Sequence, residues 1–413
     1  MKEQFILNFI LGILIFEYLL DRVLSALNER SSKKPIPEEL IDIYDQESYD
    51  QSQRYQRATH GFSRLSEMVS FILIVSAIWL GWFGALDSWI RDFSPIEPVT
   101  PLIFFGILFI ISDLLGTPFS LYQNFVIEAR FGFNKMTIKT FFLDKIKGYF
   151  LTIILGGMLL LIFIVLLTFL GTDFWWYFWI VITLFIFGIN MLYTSLLLPL
   201  FNKLIPLEDG DLRSAIASFA EKVAFPLTNV FVMDGSKRSS KGNAFFSGLG
   251  KKKKVVLYDT LVSQHSVDEL TAVFAHEVGH YKKRHIYLAT FMTIIQTGLM
   301  LFVLSLMIMN TQISYALGGN MTAIHLNLLA FGILYSPISR LLGIIMNIIS
   351  RKNEYEADAY AATHFKAQPL IEGLKKMSKD HLSNLTPHPA YVFVNYSHPT
   401  LLQRIEALKH LVH

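Results

Sequence analysis

The sequence predicts an all-α integral membrane protein that carries one small soluble module of mixed α and β structure. Three observations predict it. The 413 residues are 53% hydrophobic with a mean hydropathy of +0.43, beyond what soluble domains show. Long apolar runs recur near 4–20, 66–90, 101–126, 149–170, 174–200, 285–309 and 324–350, each long enough or nearly so to cross about 30 Å of hydrocarbon. Between the fifth and sixth runs lies the one substantial polar segment with strand patterns, 201–284. The chain therefore divides into spans one to five (1–200), a soluble segment (201–284), spans six and seven (285–350) and a polar tail (351–413).

The first run contains Glu17 and no small-residue cleavage pattern before Asp21-Arg22, so it reads as a retained anchor. Lys and Arg set the orientation. Residues 21–65 carry seven, 127–148 five, 201–284 thirteen and the tail eight, whereas 91–100 carry one and 171–173 and 310–323 none. This alternation places the large loops and the C-terminus in the cytoplasm and the N-terminus outside. Residues 30–65, with Lys34-Pro35-Ile36-Pro37, form a partly helical cytoplasmic excursion. Asp113 and Pro118 interrupt the third span; an intramembrane carboxylate faces a wet interior or serves as a polar packing residue. A net charge of +3 gives no basis for nucleic-acid binding. Zero cysteines exclude disulfides and thiolate metal sites, leaving His and carboxylate ligands.

In the soluble segment, residues 211–223 follow Asp209-Gly210 as an amphipathic helix. Strands are expected at Val230–Met233, Asn243–Ser247 and Val255–Tyr258, separated by the turns Asp234-Gly235-Ser236 and Gly248-Leu249-Gly250. The lysine run Lys251–Lys254 is a solvated turn at the membrane face or a contact for anionic headgroups. Ser266-Val267-Asp268-Glu269 is a capping box opening a helix with Leu270, Val273, Phe274 and Val278 on one face. That helix carries His276-Glu277-Val278-Gly279-His280. Two histidines four apart point the same way, about 40° apart around the axis, so both imidazoles can reach one metal ion. Glu277 lies beside them, placed to act as general base on a water.

A hydrolytic zinc site takes three protein ligands. His285, five residues after His280, lies off the ligand face if the helix continues, and Lys283 stands where a helix-breaking Gly would be needed. It reads as an interfacial residue at the mouth of the sixth span. Glu354 and Asp358, four apart just after the seventh span, share a helix face. Glu354 can ligate, Asp358 can accept a hydrogen bond from a ligand imidazole, and Glu356 points elsewhere. Read alone, the pair is equally an ordinary charged helix start. A strand beside a protease site can also take up substrate as a further strand. Asn243 offers a donor and an acceptor for that, and the small Ala244 lets a peptide approach.

With these motifs, the chain resembles the zinc-dependent CAAX prenyl endopeptidase family over nearly its whole length. The resemblance rests on His276–His280, Glu354-x-x-x-Asp358, Gly132-Phe133-Asn134-Lys135, Pro199-Leu200-Phe201-Asn202-Lys203, Asp234–Ser240, Asn243-Ala244-Phe245-Phe246-x-Gly248 and Ser397-His398-Pro399. It implies seven helices ringed around a large water-filled intramembrane chamber, capped by the zinc domain at the cytoplasmic face. It implies one Zn2+ per chain held by His276, His280 and Glu354, with Glu277 as base. It implies a transition-state or substrate-carbonyl role for His398 and a supporting one for Arg404. Asp358 is given a proton-donor role in the family; its position suits orienting a ligand equally. Pro399 suits the first turn of a helix with His398 as N-cap. The implied partners are peptide or protein substrates, possibly prenylated, and membrane lipid.

Gly242 stands where the family commonly has Ser. The end at Leu411-Val412-His413 lacks an endoplasmic-reticulum retrieval signal, which with the missing cysteines favours a bacterial inner membrane. A quality-control zinc protease of the heat-shock type shares the chemistry but resembles a smaller membrane core. A transporter or receptor with structural zinc would use four protein ligands and leave Glu277 idle.

Overall fold

The computed structural model describes residues 2–94, 96, 98–226, 230–247 and 254–411. The expected turn 248–250 and Lys251–Lys253 lie outside the described residues. The protein is mostly helical. In chain order the elements are α1 (Lys2–Ser31), α2 (Gln46–Trp79), α3 (Trp82–Phe93), α4 (Thr100–Tyr122), α5 (Ile138–Leu151), α6 (Gly157–Leu170), α7 (Phe174–Leu192), β1 (Leu204–Pro206), α8 (Asp211–Lys222), β2 (Val230–Met233), β3 (Ala244–Ser247), β4 (Lys254–Tyr258), α9 (Asp259–Gln264), α10 (Val267–Lys282), α11 (His285–Met307), α12 (Thr311–Ala316), α13 (Ile324–Leu334), α14 (Ser336–His364), α15 (Ala367–Asp380), α16 (Pro389–Asn395) and α17 (Leu401–His410).

Among the described residues, four helical stretches are long and apolar enough to cross a membrane: α2, α4 with its continuation to Glu128, the run Ile138–Leu200, and α11. A fifth arises if α13 and α14, bent by 49°, count as one span. The 63-residue run is divided at Gly171, whose φ of 56° turns the chain between α6 and α7. Phe163 of α6 then stacks edge-on against Phe174 and Phe178 of α7. The expected second span, 66–90, is divided too. α2 starts far upstream at Gln46 with Asp45 as its cap, ends at Trp79, and Gly81 (φ 68°) turns the chain into α3. The polar excursion after α1 is thus largely the first half of α2.

Large apolar side chains such as Phe169, 81% exposed, and Leu306, 67% exposed, cover the outsides of these helices. Such surface suits lipid, not water. Charges within the helical bundle are paired. Asp113 of α4 accepts hydrogen bonds from Lys145 Nζ (2.8 Å) and Tyr149 OH (2.5 Å) of α5. Arg340 of α14 bonds Glu17 (2.5 Å) and Asp21 (2.9 Å) of α1. Pairing is how a bilayer interior tolerates ionised groups.

The soluble segment holds a four-stranded sheet in the order β1-β2-β4-β3, with β2 and β4 parallel and the other pairs antiparallel. β2, β3 and β4 fall within a residue of the sequence expectation, as does α8. Val255, Val256 and Leu257 of β4 are fully buried, as a central strand requires. The core beneath joins Val255 and Leu257 to Ile216 and Phe219 of α8, Leu270 and Phe274 of α10, Ala361 of α14, Leu370 of α15 and Ile405 of α17, while Val256 packs on the other face with Leu198 and Met233. The tail therefore folds onto the soluble segment instead of forming a separate unit. β1 and β3 are the two edge strands, and β3 has β4 on one side only.

Candidate metal centre and active site

α10 begins as its sequence dictates. Ser266 Oγ accepts from Glu269 N, and the Glu269 carboxylate accepts from Ser266 N. That box, with His265 Nδ1 3.0 Å from Glu269, sets where the helix starts and hence which residues face the core. The helix packs along α14. The contact is close because Gly279 has no side chain: a Cβ there would lie 3.0 Å from Ala357 Cα and 3.1 Å from Tyr360 Cβ.

At this crossing three donors converge. His276 Nε2 and His280 Nε2 are 3.1 Å apart. Glu354 Oε1 is 3.2 Å from His280 Nε2, and Oε2 is 3.5 Å from His276 Nε2. These atoms lie within 4.8 Å of one another, with His276 and Glu354 buried. Ligands about 2.0–2.1 Å from a tetrahedral zinc ion stand about 3.3 Å apart, so two imidazoles and a carboxylate at this spacing fit such an ion with one position left over.

The groups behind the donors are also in place. Asp358 Oδ1 lies 2.8 Å from His276 Nδ1. Arg404 grips the same carboxylate with two hydrogen bonds, Nε to Oδ2 at 2.8 Å and Nη2 to Oδ1 at 2.6 Å. Both Asp358 oxygens are therefore engaged. Arg404 Nη1 is 3.6 Å from Glu354 Oε2, and His398 Nε2 is 3.4 Å from Glu354 Oε1. Glu277 lines the same cleft; burial pushes its carboxyl above the usual range, against the pull of His276 and His280.

The cleft has a volume of about 480 Å3. Its wall includes Asn243 and the first three residues of β3, Ala244, Phe245 and Phe246. Asn243 is exposed; its carbonyl accepts from Tyr258 N (2.9 Å) and its Oδ1 from Ala244 N (2.9 Å). Nine sequence-derived residues, His276, Glu277, His280, Glu354, Asp358, His398, Arg404, Asn243 and Ala244, thus surround or support one cleft.

Three details differ from the sequence reading. His398 is not a helix cap: Thr400 caps α17 in a box with Gln403, and Pro399 precedes it. Thr400-x-x-Gln403 carries the capping-box signal in the sequence itself. His285 is not merely interfacial: its Nδ1 is 2.9 Å from His280 Nδ1. Glu356 does not point elsewhere: its Oε2 is 3.3 Å from His285 Nε2. The reading assumed that α10 continues through His285. It ends at Lys282 and the chain turns at Arg284, in the left-handed region (φ 61°).

Residues 26–203 match the family description "CAAX prenyl protease N-terminal, five membrane helices", and residues 206–412 match "Peptidase family M48". CAAX prenyl protease 1 of Saccharomyces cerevisiae is 35% identical, over 93% of this chain and 90% of that protein. A CAAX prenyl protease 1 homolog of Arabidopsis thaliana is 34% identical, over 98% and 96%. The crystal structure of S. mikatae Ste24p superposes with a TM-score of 0.92 at 33% identity, covering 98% of this chain and 99% of that one. These organisms are eukaryotes, and nothing in the matches supports the expected bacterial assignment. Given a metal-binding donor set on a membrane-embedded helical body, these likenesses show that the chain belongs to peptidase family M48, of the CAAX prenyl protease type, and is an integral-membrane metalloendopeptidase.

Proposed function

We propose that the protein is a zinc endopeptidase that cuts membrane-associated peptides, prenylated CAAX tails among them, lying extended along the free edge of β3. The observation that carries this reading is the convergence of His276, His280 and Glu354 beside Glu277, in a cleft walled by residues 243–246. His276, His280 and Glu354 would hold the zinc. Bound there, the ion would supply Lewis-acid polarisation of the scissile carbonyl and a more acidic water. Glu277, in the same cleft, takes a proton from that water and returns it to the leaving amine. His398, beside Glu354 and largely exposed to the cleft, donates to the oxyanion as it develops. The main chain of the edge strand, with Asn243, aligns the substrate through bonds that ignore side-chain identity, and Ala244 leaves room for it. Asp358, clamped by Arg404, orients His276. With both oxygens occupied, it is poorly placed to donate a proton to substrate.

In this reading the seven apolar runs span the membrane around an intramembrane chamber, with spans one to five in 1–200 and spans six and seven in 285–350. Segments 201–284 and 351–413 close the site at the cytoplasmic face, and the N-terminus lies outside. The division of the 63-residue run at Gly171 and the bent α13–α14 pair bring the apolar stretches to six, and this reading counts α1, which carries the run 4–20, as the seventh. Turnover of a farnesylated CAAX peptide, with product masses read by mass spectrometry, tests the substrate class. Cleavage of the same peptide at equal rate without the prenyl group would remove prenylation from the reading.

A further inference from the structure

The turn that ends α10 is strained and has a consequence for the metal site. Arg284 has φ 61° and ψ 28°, a left-handed conformation that a residue with a Cβ rarely adopts. Such strain persists only where surrounding structure holds it, and it gathers at functional sites. Here it starts α11 one residue later and brings His285 back over α10. The His285 side chain is 7% exposed, and its two ring nitrogens each face one partner. Nδ1 stands 2.9 Å from His280 Nδ1, and Nε2 stands 3.3 Å from Glu356 Oε2.

The chemistry of the two ends decides which atom carries each proton. His280 Nε2 faces His276 and Glu354, so as a ligand it presents its lone pair there and carries its proton on Nδ1. That N–H donates to His285 Nδ1. His285 then carries its own proton on Nε2 and donates it to Glu356, which as a carboxylate only accepts. The two hydrogen bonds run in one direction, and neither nitrogen pair is left donor-to-donor.

We infer that His285 and Glu356 are positioning residues for the metal ligand His280, as Asp358 and Arg404 are for His276. The inference rests on the ligand assignment proposed above. Each ligand histidine is thereby held by its own pair of residues, and the two pairs share α14: His276 by Asp358 of α14 and Arg404 of α17, His280 by His285 of α11 and Glu356 of α14. Outer partners of this kind raise ligand basicity and hold ring orientation, and removing one weakens metal binding roughly 10–100-fold.

The test uses full-length protein in detergent, titrated with Zn2+ against a chromophoric chelator. The Co2+-loaded form is followed by visible absorption. His285→Ala should bind metal roughly 10–100-fold more weakly and shift the Co2+ bands. Glu356→Ala should weaken binding by about tenfold, the low end of that range, because Glu356 acts one residue further out. Glu356→Gln still accepts a hydrogen bond from His285 and should recover most of that loss. Glu354→Ala separates the two readings. If it keeps wild-type metal affinity, the ligand assignment itself fails. If it loses metal while His285→Ala and Glu356→Ala retain wild-type affinity and spectra, the positioning role alone is refuted. Should His285→Ala not fold, the partly exposed Glu356 decides, since its Ala and Gln variants disturb no core.

Discussion

Replacing Gly279 by Ala tests how closely α10 and α14 must approach. An added Cβ would stand 3.0 Å from Ala357 Cα, 3.1 Å from Ala357 O and 3.1 Å from Tyr360 Cβ. None of these atoms can swing aside, because two belong to the backbone and the third is fixed to it. Cβ contacts this short are tighter than nine in ten real ones, so the helices must part by a few tenths of an ångström. Overpacking of this kind costs about 1–3 kcal/mol. Ala gains about 1 kcal/mol over Gly in helix propensity, so the net loss of stability is only about 0–2 kcal/mol. The larger effect falls on the site. His276 and His280 ride on α10 while Glu354 and Asp358 ride on α14, so the 3.2 Å and 3.5 Å spacings open together. Since a misplacement of about 1 Å can cost on the order of 100-fold in rate, a parting of a few tenths of that still costs roughly several-fold. Gly279→Ala should therefore lose turnover and metal affinity far out of proportion to its melting temperature. Peptide turnover, chelator competition and thermal melting on the same preparation measure all three. An Ala variant with wild-type affinity and rate would show that the close approach is incidental.

Glu277→Gln should retain metal and lose roughly 100–10,000-fold in turnover, as expected for loss of a general base; substantial residual activity with full metal content would sink the assignment. His398→Ala and Asn243→Ala should keep metal and melting temperature, with the His398 variant losing about 100–1,000-fold in kcat; wild-type turnover in both would mean that neither touches substrate. Arg404→Ala strips a buried carboxylate of its bidentate partner and should destabilise the protein by about 3–5 kcal/mol. Arg404→Lys, which cannot bond both oxygens in the same fork, should recover only part, and a melting temperature equal to wild type in the Ala variant would contradict this. A single cysteine at the exposed Asn320 can be labelled cleanly because the chain has none of its own. Labelling of that position only from the cytoplasmic side would reverse the proposed topology.

The sequence alone determined what depends on short-range pattern. The capping box and the four-residue spacing of His276 and His280 place two ligands on one helix face before any tertiary contact exists. Strands β2, β3 and β4 are legible because apolar runs between turn residues have few alternatives. Glu354 and Asp358 could be paired with the histidines by chemistry, although 78 residues separate Glu354 from His276. What only the tertiary structure decided are distances and backbone states. The approach of α10 to α14 depends on Gly279 meeting Ala357 and Tyr360, a fit between two surfaces that no local pattern encodes. The return of His285 to His280 depends on Arg284 adopting a left-handed conformation that Lys-Lys-Arg does not signal. Non-glycine residues enter that region only when surrounding packing compels them, so the support behind the second ligand histidine was invisible until the helices on either side of the turn were in place.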